Sequence, residues 1–213
     1  MARTPDPSRK PTLLAEIVDY LLDKPLATLS FRTVAAGLGV STYSLVYHFG
    51  TRDQLLHDIM GAVTERQDVV MPTVAAETGD LETHLANIRH SWQLGLQPRS
   101  QQLLRLEFEA AMLESREEGA TSTGRVFSRW HTAGVQALLR MGIPADQAAV
   151  EGRVMVDTMY GLQFDLLVTR DTESATLAFE RALGSYEQRV RTLIAQSNET
   201  TQSSETMGSW QPR

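Results

Sequence analysis

The chain has 213 residues, no cysteine, and 20 Lys/Arg against 26 Asp/Glu, for a net charge of −6. A chain of that length buries about 70% of its unfolded surface in one or two domains, so a core forms without covalent staples. The absence of cysteine excludes disulfides, thiolate metal sites and cysteine nucleophiles, and it suits a reducing compartment.

No apolar run approaches the roughly 18 residues of a membrane span, and the first ten residues hold no apolar signal core. The expected location is therefore cytoplasmic, with no membrane partner. The charge is unevenly spread. Residues 1–60 carry six Lys/Arg and six Asp/Glu, while the remainder carries 14 and 20. A neutral head is less basic than the usual nucleic-acid footprint, so what matters is which face its cations occupy.

Residues 1–10 combine Pro5, Pro7 and Ser8 with Arg3, Arg9 and Lys10. They read either as a frayed terminus or as a flexible arm reaching a phosphate or a minor groove. Residues 12–23 form the first helix, with Leu13, Leu14, Ile17, Val18, Leu21 and Leu22 in one stripe, ended by Lys24-Pro25. Two short helical patterns follow, 30–38 and 41–48. Ser30 and Ser41 are placed to cap them, and Gly39 stands where a left-handed residue ends the first. Val34, Ala35 and Leu38 make its inner face, closed by Val40 and Leu45. Two helices joined by a short glycine-bearing turn are the helix-turn-helix unit. Gly37-Leu38-Gly39 is no phosphate loop, because Thr42 stands in place of the third glycine and no strand precedes it.

With Leu45 and Phe49 turned inward, Thr42, Tyr43, Ser44, Tyr47 and His48 are left to face outward. Hydroxyls, phenols and an imidazole bond to phosphate or base edges, and the Thr42 methyl fits a thymine methyl. No arginine, asparagine or glutamine lies on this helix, so DNA shape is expected to assist base reading. Arg32, Thr33 and Ser41 flank the turn. Thr51 and Gln54 have capping-box spacing, and Arg52 beside that helix start makes a phosphate seat. Leu55, Leu56, Ile59, Met60 and Val63 then carry a helix to about residue 70, which Gly61 interrupts at some cost.

These residues carry a resemblance. Val34-Ala35, Leu38-Gly39-Val40-Ser41, Leu45, His48-Phe49, Thr51-Arg52-Asp53 and Leu55-Leu56 resemble the DNA-binding domain of TetR-family transcriptional regulators. The resemblance is specific over roughly residues 10–60. Members of that family usually carry a phosphate-touching tyrosine directly after the residue matching Leu45. Val46 holds that place here and Tyr47 follows it.

Beyond residue 80 the apolar spacing gives further helices. Leu81, Leu85, Ile88, Trp92 and Leu96 make one stripe, ended by Pro98. Residues 101–115 and 123–141 follow, the second ended by Gly142-Ile143-Pro144. Residues 146–169 are the most apolar long helix, and residues 176–195 close the series. Residues 196–213 are rich in Ser, Thr and Gln and read as disordered. The expected fold is all-α, with a helix-turn-helix three-helix domain over residues 1–50. A larger helical effector-binding and dimerisation domain spans 51–195.

The middle helices gather Trp92, Phe108, Met112 and Phe127 with Trp130, His131, Met155 and Met159. Rigid aromatics mixed with adaptable methionine suit an apolar ligand, and they equally suit an ordinary core. The resemblance implies a small-molecule effector among these helices and a homodimer through the last two. It also implies a regulator, most often a repressor, bound to double-stranded DNA.

Enzyme signatures are missing. Glu107 and Glu109 are two apart on a helix and share no face. No Glu-x-x-His and no Gly-x-Ser-x-Gly occurs, so no catalytic residue, metal or cofactor is expected. The alternative is a helical dimeric ligand-binding module, or an enzyme, that does not bind DNA.

Overall fold

The computed structural model describes residues 9–70, 80–115 and 122–208. Among these residues there are nine α-helices and no strand: α1 Lys10–Leu21, α2 Phe31–Leu38, α3 Thr42–Phe49, α4 Arg52–Val70, α5 Leu81–Gly95, α6 Pro98–Glu114, α7 Ser122–Arg140, α8 Ala145–Thr169 and α9 Thr172–Gly208. Helix α6 starts at Pro98 rather than at 101, because proline fits a first helical turn whose amides are unpaired anyway. Helix α9 runs to Gly208, which corrects the expectation of a disordered tail from residue 196 as far as residue 208. No proline or glycine breaks residues 196–207, so the helical pattern continues after its apolar stripe ends. Of the arm expected over residues 1–10, residues 1–8 lie outside the described residues, and Lys10 already begins α1.

The chain divides into two compact units, Met1–Pro72 with Leu96–Phe127, and Thr73–Gly95 with Ser128–Arg213. Packing therefore groups α6 with the N-terminal head, whereas motif reading drew its boundary at residue 50.

In the first unit α1 is the platform. Leu13, Ile17 and Val18 are fully buried with Leu26, Val34, Leu45, Leu55, Ile59 and Val63. Leu103, Leu106 and Ala110 of α6 complete the same core. One face of α6 also grips the end of α1. Arg105 donates to the carbonyls of Leu21 and Leu22 at 2.9 Å and of Lys24 at 3.2 Å. The backbone amide of Leu26 donates to the Glu109 carboxylate, which also pairs with Arg105. The last carbonyls of a helix have no partner within it, and a guanidinium supplies several donors at once.

In the second unit Trp92 stacks on Phe179 with centroids 4.7 Å apart and planes 5° from parallel. Its indole N–H donates to the Thr176 hydroxyl at 3.3 Å. Beside them His84 Nε2 and the Tyr186 hydroxyl lie 2.9 Å apart, both buried. Helices α7 and α8 cross closely at Gly134 and Gly152, where an added side chain at Gly152 would press on Val135.

Burial, reinforced by the Arg140 charge, pushes His84 from 6.5 down to about 4. Burial, with Glu151 adding to it, pushes the Tyr186 hydroxyl up. The folded pair is therefore neutral, while the unfolded His84 gains a proton below 6.5. The stability this represents is complete above pH 6.5 and is lost as the pH falls towards 4. Chemical denaturation should show the natural chain's advantage over His84→Gln shrinking by about 2 kcal/mol between pH 7 and pH 5.

Candidate nucleic-acid interface

The helix-turn-helix is built from local side-chain bonds. Ser30 is extended, and its hydroxyl accepts the Thr33 amide at 3.1 Å while Thr33 Oγ1 accepts the Ser30 amide at 3.0 Å. Gly39 ends α2 at φ 66°, in the left-handed region that a β-carbon disfavours. Ser41 Oγ accepts the Ser44 amide at 3.1 Å and starts α3. Thr51 and Gln54 form the reciprocal pair at the start of α4, with amide–side-chain distances of 2.9 and 3.2 Å. Each cap satisfies orphan amides that a helix cannot satisfy within itself, whatever its length.

Thr33, Ser41 and Thr51 accept amides in these caps, Ser41 from Ser44, and Thr33 Oγ1 also donates to the Thr28 carbonyl at 2.9 Å. Arg52 Nε donates to the Leu29 carbonyl at 3.1 Å, tying α4 to the entry of α2. The outward group is Arg32 with Thr42, Tyr43 and Tyr47, all exposed, and Tyr43 is 71% exposed. Leu45 and Phe49 lie beneath them at 0% and 2%. His48 is half-buried, its ring edge-on to Tyr47 with centroids 5.1 Å apart. It helps line an open cleft of about 340 Å³ with Lys10, Phe49, Gly50, Gln54, His57 and Asp58. Lys10 pairs with Asp58 at 2.7 Å and sits over the Phe49 ring, so the start of α1 is fastened to the end of α3.

The sequence reading named Val46 only for the place it holds after Leu45, and it did not single out Gly50. Val46 is 48% exposed on the outer face of α3. Its spacing of four from Thr42 was the available signal. Gly50 ends α3 at φ 68°, and an added β-carbon would strike the Gln54 side-chain oxygen Oε1 that accepts the Thr51 amide at the start of α4. A glycine directly after the last apolar residue of a helix marks such a stop.

The candidate effector residues fall in both units. Phe108, Met112 and Phe127 belong to the first, where Met112 is 67% exposed. Trp92, Trp130, His131, Met155 and Met159 belong to the second, with Trp92 and Met155 buried and His131 Nε2 3.3 Å from the Ala149 carbonyl.

No protein-family model matches the chain. A TetR-family member from Streptomyces coelicolor A3 superposes with TM-score 0.65 at 21% identity, covering 84% of this chain and 98% of that one. The fold is that of the TetR family. A transcriptional regulator from Rhodococcus sp. Rha1 gives 0.62 at 15% identity over 87% and 96% of the two chains. The multidrug binding protein EbrR, complexed with imidazole, gives 0.61 at 23% over 83% and 90%.

By sequence the chain is similar to the HTH-type transcriptional regulator EthR of Mycobacterium tuberculosis, 25% identical over 95 residues. The match covers 45% of this chain and 42% of that regulator, so the chain spans less than half the length of the curated relative. The helix-turn-helix expected from residues 30–48 is thus present within a TetR-type arrangement of helices.

Gly50→Ala should destabilise the protein by about 1–3 kcal/mol in thermal denaturation, since both its backbone and the neighbouring cap object. Gly61→Ala, in open space on α4, should instead raise stability by about 0.5–1 kcal/mol.

Proposed function

We propose that the protein is a ligand-responsive, DNA-binding transcriptional regulator, acting as a repressor and binding a near-palindromic operator as a homodimer. One observation carries the reading: α3 buries Leu45 and Phe49 and leaves Thr42, Tyr43, Val46 and Tyr47 bare beside the capped start of α4. Phenols and hydroxyls on such a surface donate to phosphates. The similarity to EthR and the TetR-type fold support the same reading.

A second set of bare residues supports the dimer. Val150, Val154, Phe164 and Val168 lie exposed along α8 at spacings that keep them on one face, with Gly161 open between them. Leu177 of α9 is 73% exposed. Large apolar side chains gathered on one face are covered by a second subunit more economically than by water. Two copies of α3 would then enter successive major grooves about 34–36 Å apart. A mostly apolar effector that favours another separation of the heads would draw the population away from DNA.

Sequences retained from a random DNA pool supply the operator for the tests. Tyr43→Ala and Tyr47→Ala should each weaken operator binding about fivefold in a mobility-shift titration, the cost of one hydrogen bond. Unchanged affinity in both would remove α3 as the reading element. Phe164→Asp should convert the dimer to monomer in sedimentation and lose operator binding with it.

A further inference from the structure

We infer that Val46, together with Thr42, reads the C5 methyl groups of thymine, so that base choice by α3 rests on methyl packing rather than on ionic or amide contacts to bases. This rests on the regulator reading above and specifies the chemistry of the same surface. Every position of α3 is accounted for. Leu45 and Phe49 are core, and Ser44 and His48 are half-buried. The exposed positions are Thr42, Tyr43, Val46 and Tyr47, in two pairs four residues apart. Such pairs are neighbours on a helix surface. One ridge therefore carries the two tyrosines and the other carries the methyls of Thr42 and Val46.

The usual strong base readers are absent from α3, which has no Arg, Lys, Asn or Gln between Thr42 and Phe49. Arg52, the nearest cation on α4, donates its Nε to the Leu29 carbonyl and lies 3.8 Å from Asp53. Val46 is a branched apolar side chain half-exposed among polar neighbours, outside the buried core that Leu45 enters. In a major groove the group it matches is the thymine methyl, which is the one apolar feature that the four base-pair orientations present. The tyrosines, with longer reach and a hydroxyl at the tip, suit the backbone on either side.

The test uses the full-length chain and the selected operator. Each thymine of a half-site is replaced singly by deoxyuridine, which removes the methyl and keeps the pairing. Affinity is read by fluorescence anisotropy for the natural chain, Val46→Ala and Thr42→Ser, which both lose methyls at exposed positions. The natural chain should bind about fourfold more weakly at one or two uracil positions, the effect of one methylene's burial. Val46→Ala or Thr42→Ser should bind the thymine operator more weakly, yet be indifferent to uracil at its own position. The salt slope should not change, because no phosphate contact is lost.

Uracil without effect at every position overturns the inference, and so does a uracil penalty that persists undiminished in both variants. Selection of no sequence at all overturns the regulator reading along with it, and so differs from either result.

Discussion

An eight-residue helix does not hold itself together in water, because nucleation costs more than so few backbone bonds return. Helix α3 exists because Leu45 and Phe49 are sunk into a core already organised by α1. That burial fixes the rotation of α3 about its own axis, and the rotation decides which side chains remain outside. Thr42, Tyr43, Val46 and Tyr47 face solvent because the two residues that anchor the helix occupy its other side. The proposed DNA surface is thus the complement of the core.

The turns obey a similar economy of polar groups. Three helix starts in close succession, those of α2, α3 and α4, leave many amides without partners. Ser30, Thr33, Ser41, Thr51 and Gln54 supply the acceptors. A hydroxyl that accepts an amide keeps its own O–H to donate. Thr33 Oγ1 also donates, to the Thr28 carbonyl at 2.9 Å, so its proton is committed to the fold. Helix α6 extends the same logic to the end of α1, where Arg105 and Glu109 take up exposed carbonyls and an amide.

The second unit is built around aromatic contacts instead. The Trp92–Phe179 stack and the His84–Tyr186 pair give α5 and α9 specific polar and planar partners. Keeping His84 neutral lets it share a hydrogen bond in a place where a charge would be costly. On the outside of the same unit, α8 carries its valines and Phe164 in the open. The two sides of the unit therefore differ: one set of apolar groups is buried and another is exposed.

The amino-acid order alone determined the helical class, the positions of most helix starts and stops, and the helix-turn-helix. These are local matters. A serine or threonine caps within three residues, a glycine stops a helix where it stands, and an apolar stripe declares its own period. Tertiary structure alone decided that α6 packs with the head and how far Val46 stands in the open. It also separated Trp92, locked against Phe179, from Met112, left bare. Each of these depends on a partner brought close by folding, and a periodic pattern names the inward side of a helix without naming what covers it.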